Sequence, residues 1–576
     1  MFRRWIELAL RPVRELGTVE RLVLFGVAVL HATGIGWGLP STDGWDVDGV
    51  APRDFLPGLV ETYTPGKYFT YPPLHLALLA LLTLPVTIVQ LLRAPSLAPH
   101  DLVATFLSVP VMTTFALVAR VVSFLMSLGV VLIVGRIAAV VFPSARRARA
   151  WAMAICGVEV AGTYYAHTTN LDLPALFWAS AALLALVLAL ESDEPRRLRR
   201  VAVLAAFAIA TKDQAYAVFA LSMPAVLVAW TLARPPSRRT DVLREALVCA
   251  AIVVGLVLVL DAAPFNPTGF AARVRFLTGP ASQDFAQHSR DWAGRLSALE
   301  DAVTFFPNHY PLALAPVLAA GVFVAVTSRR GVGRVAALVP LLAALSFTLA
   351  FNCVARRVEE RFMMPQMQLL AVYGGGVAVF IERSVAARRR GLPALVAVLA
   401  GAGVVLGLRL SAGMLLTMAG DARYDAERWI HEHVRPGEPV EVYGGNVYLP
   451  RLSPALTVER VDPRPVTSRN PMPGIVERQD RLGNVEARRP RWIVVGMGHA
   501  WRYLQEAHGP SDGRVLPRIQ EAGLADADTR DYFRALFAEQ AGYRKAHVSH
   551  YEGSAVFPPR PLHASLATDV FVFERR

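Results

Sequence analysis

Apolar runs of about 16–23 residues recur along the first 410 positions, each ended by a short polar or basic stretch. Coiled into helices, runs of this length cross a hydrocarbon layer roughly 30 Å thick with every backbone polar group satisfied inside the segment. The pattern predicts about eleven spans, over residues 20–39, 119–141, 151–167, 174–190, 201–211, 215–232, 246–262, 310–327, 335–352, 363–381 and 393–415. Two further runs, 74–92 and 101–117, are ambiguous, the first being long enough to cross. Counting it alone reverses every later loop, so both are read as helices lying in or dipping into the outer interface. If both cross, the count becomes about thirteen and the later orientation is unchanged.

Past residue 416 the pattern changes. Asp421–Val434 has helical periodicity, while Pro439–Tyr443, Arg491–Gly496 and Thr568–Phe573 read as strands between Gly/Pro-rich turns. The chain therefore divides into a mainly α transmembrane bundle over 1–415 and a small α/β domain over 416–576, large enough to bury its own core.

Composition supports a membrane protein: 54% of the 576 residues are hydrophobic, 18% are charged, and the mean hydropathy is +0.39. The formal charge of +13 does not indicate nucleic acid, because the basic residues form short clusters between apolar runs and no continuous patch. These clusters are Arg146/Arg147/Arg149, Arg196/Arg197/Arg199/Arg200, Arg234/Arg238/Arg239, Arg329/Arg330/Arg334 and Arg388/Arg389/Arg390. Placing each in the cytoplasm orients every span. Arg3, Arg4, Arg11 and Arg14 precede an uncleaved first span that enters from the cytoplasm, since no small-residue cleavage site follows. The expected location is a bacterial inner membrane, with a cytoplasmic N-terminus and a periplasmic C-terminal domain.

Exterior segments then lie at about 40–118, 167–173, 211–214, 262–309 and 353–361, followed by the tail. Cys156, Cys249 and Cys353 are far apart and form neither a disulfide framework nor a zinc site. The tail histidines His499, His508, His547, His550 and His563 show no catalytic or metal spacing and read as structural or exposed.

The first exterior segment carries four carboxylates, Asp43, Asp46, Asp48 and Asp54. One of them held at the membrane surface could act as general base towards an acceptor hydroxyl or bind a divalent cation such as Mg or Mn; a solvated acidic loop is the alternative. Asp172 sits between two spans just ahead of Pro174, where an acid lines a cavity or caps a helix. Lys212 is one of three lysines against fifty-six arginines and interrupts an apolar stretch. An ammonium there wants a phosphate or carboxylate partner, or pairs with the neighbouring Asp213. Arg356, Arg357 and Arg361 lie on the outer side with Glu359 and Glu360, suiting either an anionic ligand or local ion pairs. Exterior acids together with exterior cations suit transfer from a phosphate-activated donor, whose leaving oxygen gains negative charge. No glycine-rich phosphate loop is present, which argues against a cytoplasmic nucleotide as direct donor.

Four ordered segments carry a family resemblance: Trp45-Asp-Val-Asp-Gly-Val-Ala-Pro52 followed by Tyr71-Pro-Pro-Leu-His75; Tyr164-Tyr-Ala-His-Thr-Thr-Asn-Leu-Asp-Leu-Pro174; Ala210-Thr-Lys212; and Glu360-Arg-Phe-Met-Met-Pro365. Over about residues 20–410 the chain resembles the C-type glycosyltransferases that use polyprenyl-phosphate sugars, namely glycosyltransferase family 39 with its protein O-mannosyltransferase and lipid A aminoarabinose transferase relatives. The resemblance implies that Asp48 is the catalytic base, with Asp46 a rival because Gly49 replaces the second acid of the family's pair. It further implies that Asp172 assists, and that Lys212 and Arg361, with Arg357 beside it, face the donor phosphate. Trp45, Tyr71, His167 and Gln214 are the substrate-contact candidates. The implied reaction is an inverting single displacement, moving a sugar from a polyprenyl-phosphate donor in the membrane lipid to an envelope acceptor. The resemblance fixes no cofactor, and a divalent metal, Mg or Mn, is compatible with it. The long segment 262–309 could cover the site as a lid. Two other classes fit many spans with buried charge: a transporter of a lipid-linked substrate, against which stands the lack of an internal repeat, and a non-catalytic membrane subunit.

Overall fold

The computed structural model describes residues 13–387, 391–466, 474–505, 514–560, 562 and 566–576. Arg3, Arg4, Arg11, Arg388–Arg390, His508 and His563 lie outside the described residues.

Among the described residues, eight helices are long and apolar enough to cross a membrane: Pro73–Arg93, Val109–Val141, Asp172–Glu191, Asp213–Ala233, Pro236–Leu260, Gly331–Ala355, Glu360–Glu382 and the first part of Gly391–His433. A ninth arises if Trp292–His309 and Leu314–Ser328, bent by 111° against each other, count as one span. Three other runs predicted as spans form shorter helices. Thr18–Ala32 has 15 residues and Leu198–Ile209 has 12. The 151–167 run breaks into Ala148–Gly157 and Val160–Tyr165, because the Glu159 carboxylate accepts the N–H groups of Ala161 (3.0 Å) and Gly162 (2.5 Å) and starts a new helix.

The 74–92 run is an unbroken 21-residue helix, Pro73–Arg93. One side, with His75, Leu76, Leu79 and Thr83, is buried; Leu81, Leu82, Leu84, Ile88 and Leu92 are exposed. By contrast, 101–117 is not one element. Its first part belongs to the short helix Pro99–Phe106, and the remainder opens the 33-residue helix Val109–Val141. At 1.5 Å per residue that helix is roughly 50 Å long, so it overshoots a hydrocarbon layer. Its Thr113 and Arg120 hold the 35–41 segment, Arg120 donating to the carbonyls of Ile35 and Trp37 at 2.7 Å each.

Small residues let the helices close up. At Gly321 a Cβ would stand 1.9 Å from the Tyr373 carbonyl oxygen, so only glycine permits that crossing. The 262–309 segment is itself helical, with Pro267–Thr278, Pro280–Gln283, Trp292–Thr304 and Phe306–His309. The expected structureless lid is therefore a folded cap. It is pinned by Arg356, whose guanidinium donates to the His288 carbonyl (2.8 Å) and to Gln283 Oε1 (2.7 Å).

The C-terminal domain is built on six strands: β1 (Pro439–Val442), β2 (Thr457–Asp462), β3 (Ile475–Gln479), β4 (Trp492–Gly496), β5 (Tyr543–Ser549) and β6 (Val570–Arg575). Their spatial order is β3-β2-β1-β4-β6-β5, with the first four parallel and the last two antiparallel to their neighbours. Alternate residues feed two cores. Val440, Val442, Val494 and Val572 pack with the helix Ala422–His433, while Ile493, Val495 and Phe573 pack with Ala527–Phe537.

This domain is clasped to the bundle through aromatic and basic side chains. The Trp45 indole N–H donates to the Leu449 carbonyl at 3.1 Å, Trp37 donates to Asp421 at 3.1 Å, and Arg451 donates to the Leu39 carbonyl at 2.5 Å. The Arg423 guanidinium lies 4.1 Å over the Trp45 ring and is paired with Asp421, both side chains fully buried.

Candidate active site

Four chain segments meet at the domain-facing end of the bundle. The 41–54 segment is joined to the 168–172 loop by main-chain and side-chain bonds: Val50 N–H to the Thr169 carbonyl (3.3 Å), and the Thr169 hydroxyl to the Val50 carbonyl (2.8 Å). Asn170 bridges the two principal acids. Its amide donates to the Asp48 carbonyl at 3.3 Å, while its oxygen accepts the Asp172 N–H at 2.7 Å. Gly49 fits because a Cβ there would stand 2.6 Å from the Thr169 hydroxyl and 3.1 Å from an Asp46 carboxylate oxygen. A second acid at that position has no room.

Each acid faces a cation from another element. Asp48 is ion-paired with Arg361, at the start of the helix Glu360–Leu370, and Asp172 with Lys212 at 2.6 Å. Asp172 is also within electrostatic reach of Arg361. Lys212 thus does not pair with Asp213, which takes Arg273 instead. Glu359 binds both Arg357 (2.7 Å) and Arg361 (3.1 Å), and these two charges hold its carboxyl below the usual range against the opposing effect of burial, the largest influence. Arg357 lies over the rings of Phe285 (4.8 Å) and Phe362 (4.9 Å), so the cap reaches this cluster.

The other residues read from sequence lie around this centre in different ways. Asp46 is 6% exposed and accepts the Tyr164 hydroxyl at 3.3 Å, whereas the Asp48 side chain is 20% exposed. The Tyr71 phenol is pushed up to about 12, first by burial and then by the charges of Asp48, Asp54 and Asp46, so it faces the acids. Gln214 and Arg357 line a largely apolar groove of about 490 Å³ with Tyr216, Leu277, Phe351 and Val354. Trp45 and His167 are brought to the same end but buried, at 1% and 0% exposure, Trp45 inside the domain clasp and His167 against Gly34. Neither presents a surface to a ligand.

Among the described residues no group of three His, Cys, Asp or Glu side chains is placed to hold a metal ion. The donor set also fits one poorly: Asp48 and Asp172 already face Arg361 and Lys212, and a cation would have to displace both.

Sequence reasoning missed Asn170, a bridge visible only once two loops are adjacent. It also missed Glu159, which is fully buried between His309 Nδ1 (2.5 Å) and the Gln368 amide (3.1 Å). The only trace of Glu159 in the sequence is a lone carboxylate within a predicted span. Gln368 lies seven residues along from Arg361, and the helix capped by Glu159 leads directly into the Asp172 loop.

No protein-family model matches the chain, and no curated protein sequence matches it. Among solved structures it is similar to ArnT from Cupriavidus metallidurans bound to undecaprenyl phosphate, at 16% identity over 87% of this chain and 97% of that one, with a TM-score of 0.45. It is also similar to the Archaeoglobus fulgidus oligosaccharyltransferase tethered with an acceptor peptide, at 13% identity over 96% and 88%, TM-score 0.44. Likenesses this distant carry no argument about activity. What the chain itself displays is a multi-pass helical membrane protein with a charged cleft roofed by an α/β domain.

Proposed function

We propose that the protein is a membrane glycosyltransferase that moves a sugar from a polyprenyl-phosphate donor to an envelope acceptor at the periplasmic face of a bacterial inner membrane, with the N-terminus in the cytoplasm. One observation carries this reading: acids and cations from four separate segments converge beside an apolar groove at the end of a membrane bundle. Buried charge of this kind is costly in an apolar surround and marks function.

In this account the acceptor hydroxyl attacks the anomeric carbon of the donor sugar from the side opposite the phosphate. Its proton passes to Asp48, the carbon–oxygen bond to phosphate breaks, and polyprenyl phosphate leaves with the electron pair, so configuration inverts. Lys212 and Arg361, with Arg357 adjacent, stabilise the charge gathering on the leaving oxygen. Asp48 is preferred to Asp46 as base because it is the more accessible of the two. The first isoprene units lie in the apolar groove beside Gln214 and Arg357. Arg361 is shared: phosphate arrival draws it from Asp48 and leaves that carboxylate able to take a proton.

The test is reconstitution of the full chain in sealed lipid vesicles with polyprenyl-phosphate sugars and an envelope extract. Formation of a new glycoside with release of polyprenyl phosphate supports the reading. Movement of the lipid-linked sugar between leaflets with no glycoside formed overturns it in favour of a transporter.

A further inference from the structure

A second cavity, of about 320 Å³, opens between the 43–53 segment of the bundle and the C-terminal domain. Its volume is at the lower end of the range of ligand sites, about 300–1,000 Å³. On the domain side it lies off the carboxyl ends of β1 and β2, next to the place where the strand order reverses from β2-β1 to β1-β4. The carboxyl edge of a parallel sheet is where open α/β folds seat ligands. On the bundle side its wall is Asp43, Asp46, Val47, Gly49, Ala51 and Arg53, so the residues directly before and after Asp48 line it while Asp48 itself stands behind the wall.

The lining is polar and balanced in charge. Asp43, Asp46 and Asp462 are matched by Arg53, Arg460 and Arg464. Most are fixed in pairs: Arg53 with Asp43 at 2.5 Å, and Arg464 with Asp462 at 2.7 Å. Asn446 ties the two walls together, donating to Asp43 and accepting from Arg460 at 2.8 Å. Only Val47, Ala51 and Val447 add apolar side chains. A lipid tail or an apolar peptide gains little from such walls, and a phosphorylated headgroup meets as many carboxylates as guanidiniums. A neutral molecule rich in hydroxyl groups can bond to both, since each hydroxyl donates and accepts.

We propose that this cleft is the acceptor subsite and that it binds a neutral glycan beside the segment that carries Asp48. The proposal rests on the glycosyltransferase reading and adds to it the chemical class of the acceptor. It also gives the C-terminal domain a task, forming half of the subsite.

Gly445 allows a direct test. It lines the cleft, its backbone is extended (φ −77°), and a Cβ added there meets nothing within 4 Å. Gly445→Trp therefore meets no clash at its Cβ and brings an indole to the cleft wall. Gly483→Trp, elsewhere in the same domain with equally open space, is the control. The full chain in nanodiscs is titrated, without donor, with short neutral oligosaccharides carrying a fluorescent label, and binding is read by anisotropy. The expected result is binding to the wild type, weakened about tenfold or more by Gly445→Trp and unchanged by Gly483→Trp. Absence of binding to the wild type, equal binding to Gly445→Trp, or competition at this cleft by a peptide or a phosphorylated glycolipid in place of the glycan overturns the proposal. Glycoside formation from the polyprenyl-phosphate donor with an envelope extract, the assay given above, reports on the transferase reading separately: its absence in the wild type refutes that reading and leaves the binding result standing.

Discussion

Two sets of buried polar side chains in the bundle differ in one respect. Glu159 and His309 form a sealed pair, each side chain fully buried, with Gln368 and two helix N–H groups closing around the carboxylate. Asp48–Arg361 and Asp172–Lys212 form open pairs, with side-chain exposures of 20% and 15% in the first and 9% and 16% in the second. A sealed pair cannot trade partners, so it fixes the elements that contribute to it. An open pair beside a groove can exchange a carboxylate for a phosphate. The sealed set therefore positions three elements, the helix before Asp172, the end of the cap and the helix bearing Arg361, while the open set is placed to meet a ligand.

Substitutions separate the two. Asp48→Asn should lower sugar transfer about 10³-fold, within the range for loss of a general base, with membrane protein level unchanged. Asp46→Asn should cost about tenfold or less, being buried against Tyr164; equal losses in a transfer assay would dissolve the distinction between them. Glu159→Leu should instead act on the fold, because it leaves His309 and the helix N-terminus buried without their partner. The cost is about 3–5 kcal/mol, read as lost folded protein in a detergent thermal-shift assay, and Glu159→Gln should restore most of it. Lys212→Met should fall between, with transfer down about 10²-fold and the donor concentration for half-maximal rate raised, at normal stability.

The smallest expected effect lies outside the bundle. His499 is buried against Gly444 and the Tyr503 and Phe533 rings, and burial lowers it to about 3. The unfolded chain therefore binds a proton that the folded one refuses between about 6.5 and 3. Its contribution to domain stability is complete above about 6.5 and is lost as pH falls towards 3. His499→Asn should flatten the melting temperature against pH by a few degrees over that window.

Much of this was legible in the sequence for a physical reason: charge is expensive where apolar residues dominate, so Asp48, Asp172, Lys212 and Arg361 stand out at the ends of apolar runs. The structure gathers all four. What stayed hidden depends on proximity. Asn170 is an ordinary loop residue until it bridges two acids, and Asn446 until it joins two domains. Apolarity also overstated length: Leu198–Ile209 and the pieces either side of Glu159 are too short to cross alone, yet they are apolar because other helices surround them. In the domain, β1, β4 and β6 showed as apolar strands, while β2, β3 and β5 carry Glu459, Arg460, Glu477, Arg478 and Lys545 and so lack clean alternation.

Competition between the Asp48 carboxylate and a carrier phosphate for Arg361 is tested most directly by the affinity of nanodisc-reconstituted protein for polyprenyl phosphate alone. Asp48→Asn should bind it several-fold more tightly than the wild type even as transfer collapses, because the internal competitor is gone. Unchanged or weaker binding by Asp48→Asn would contradict the account.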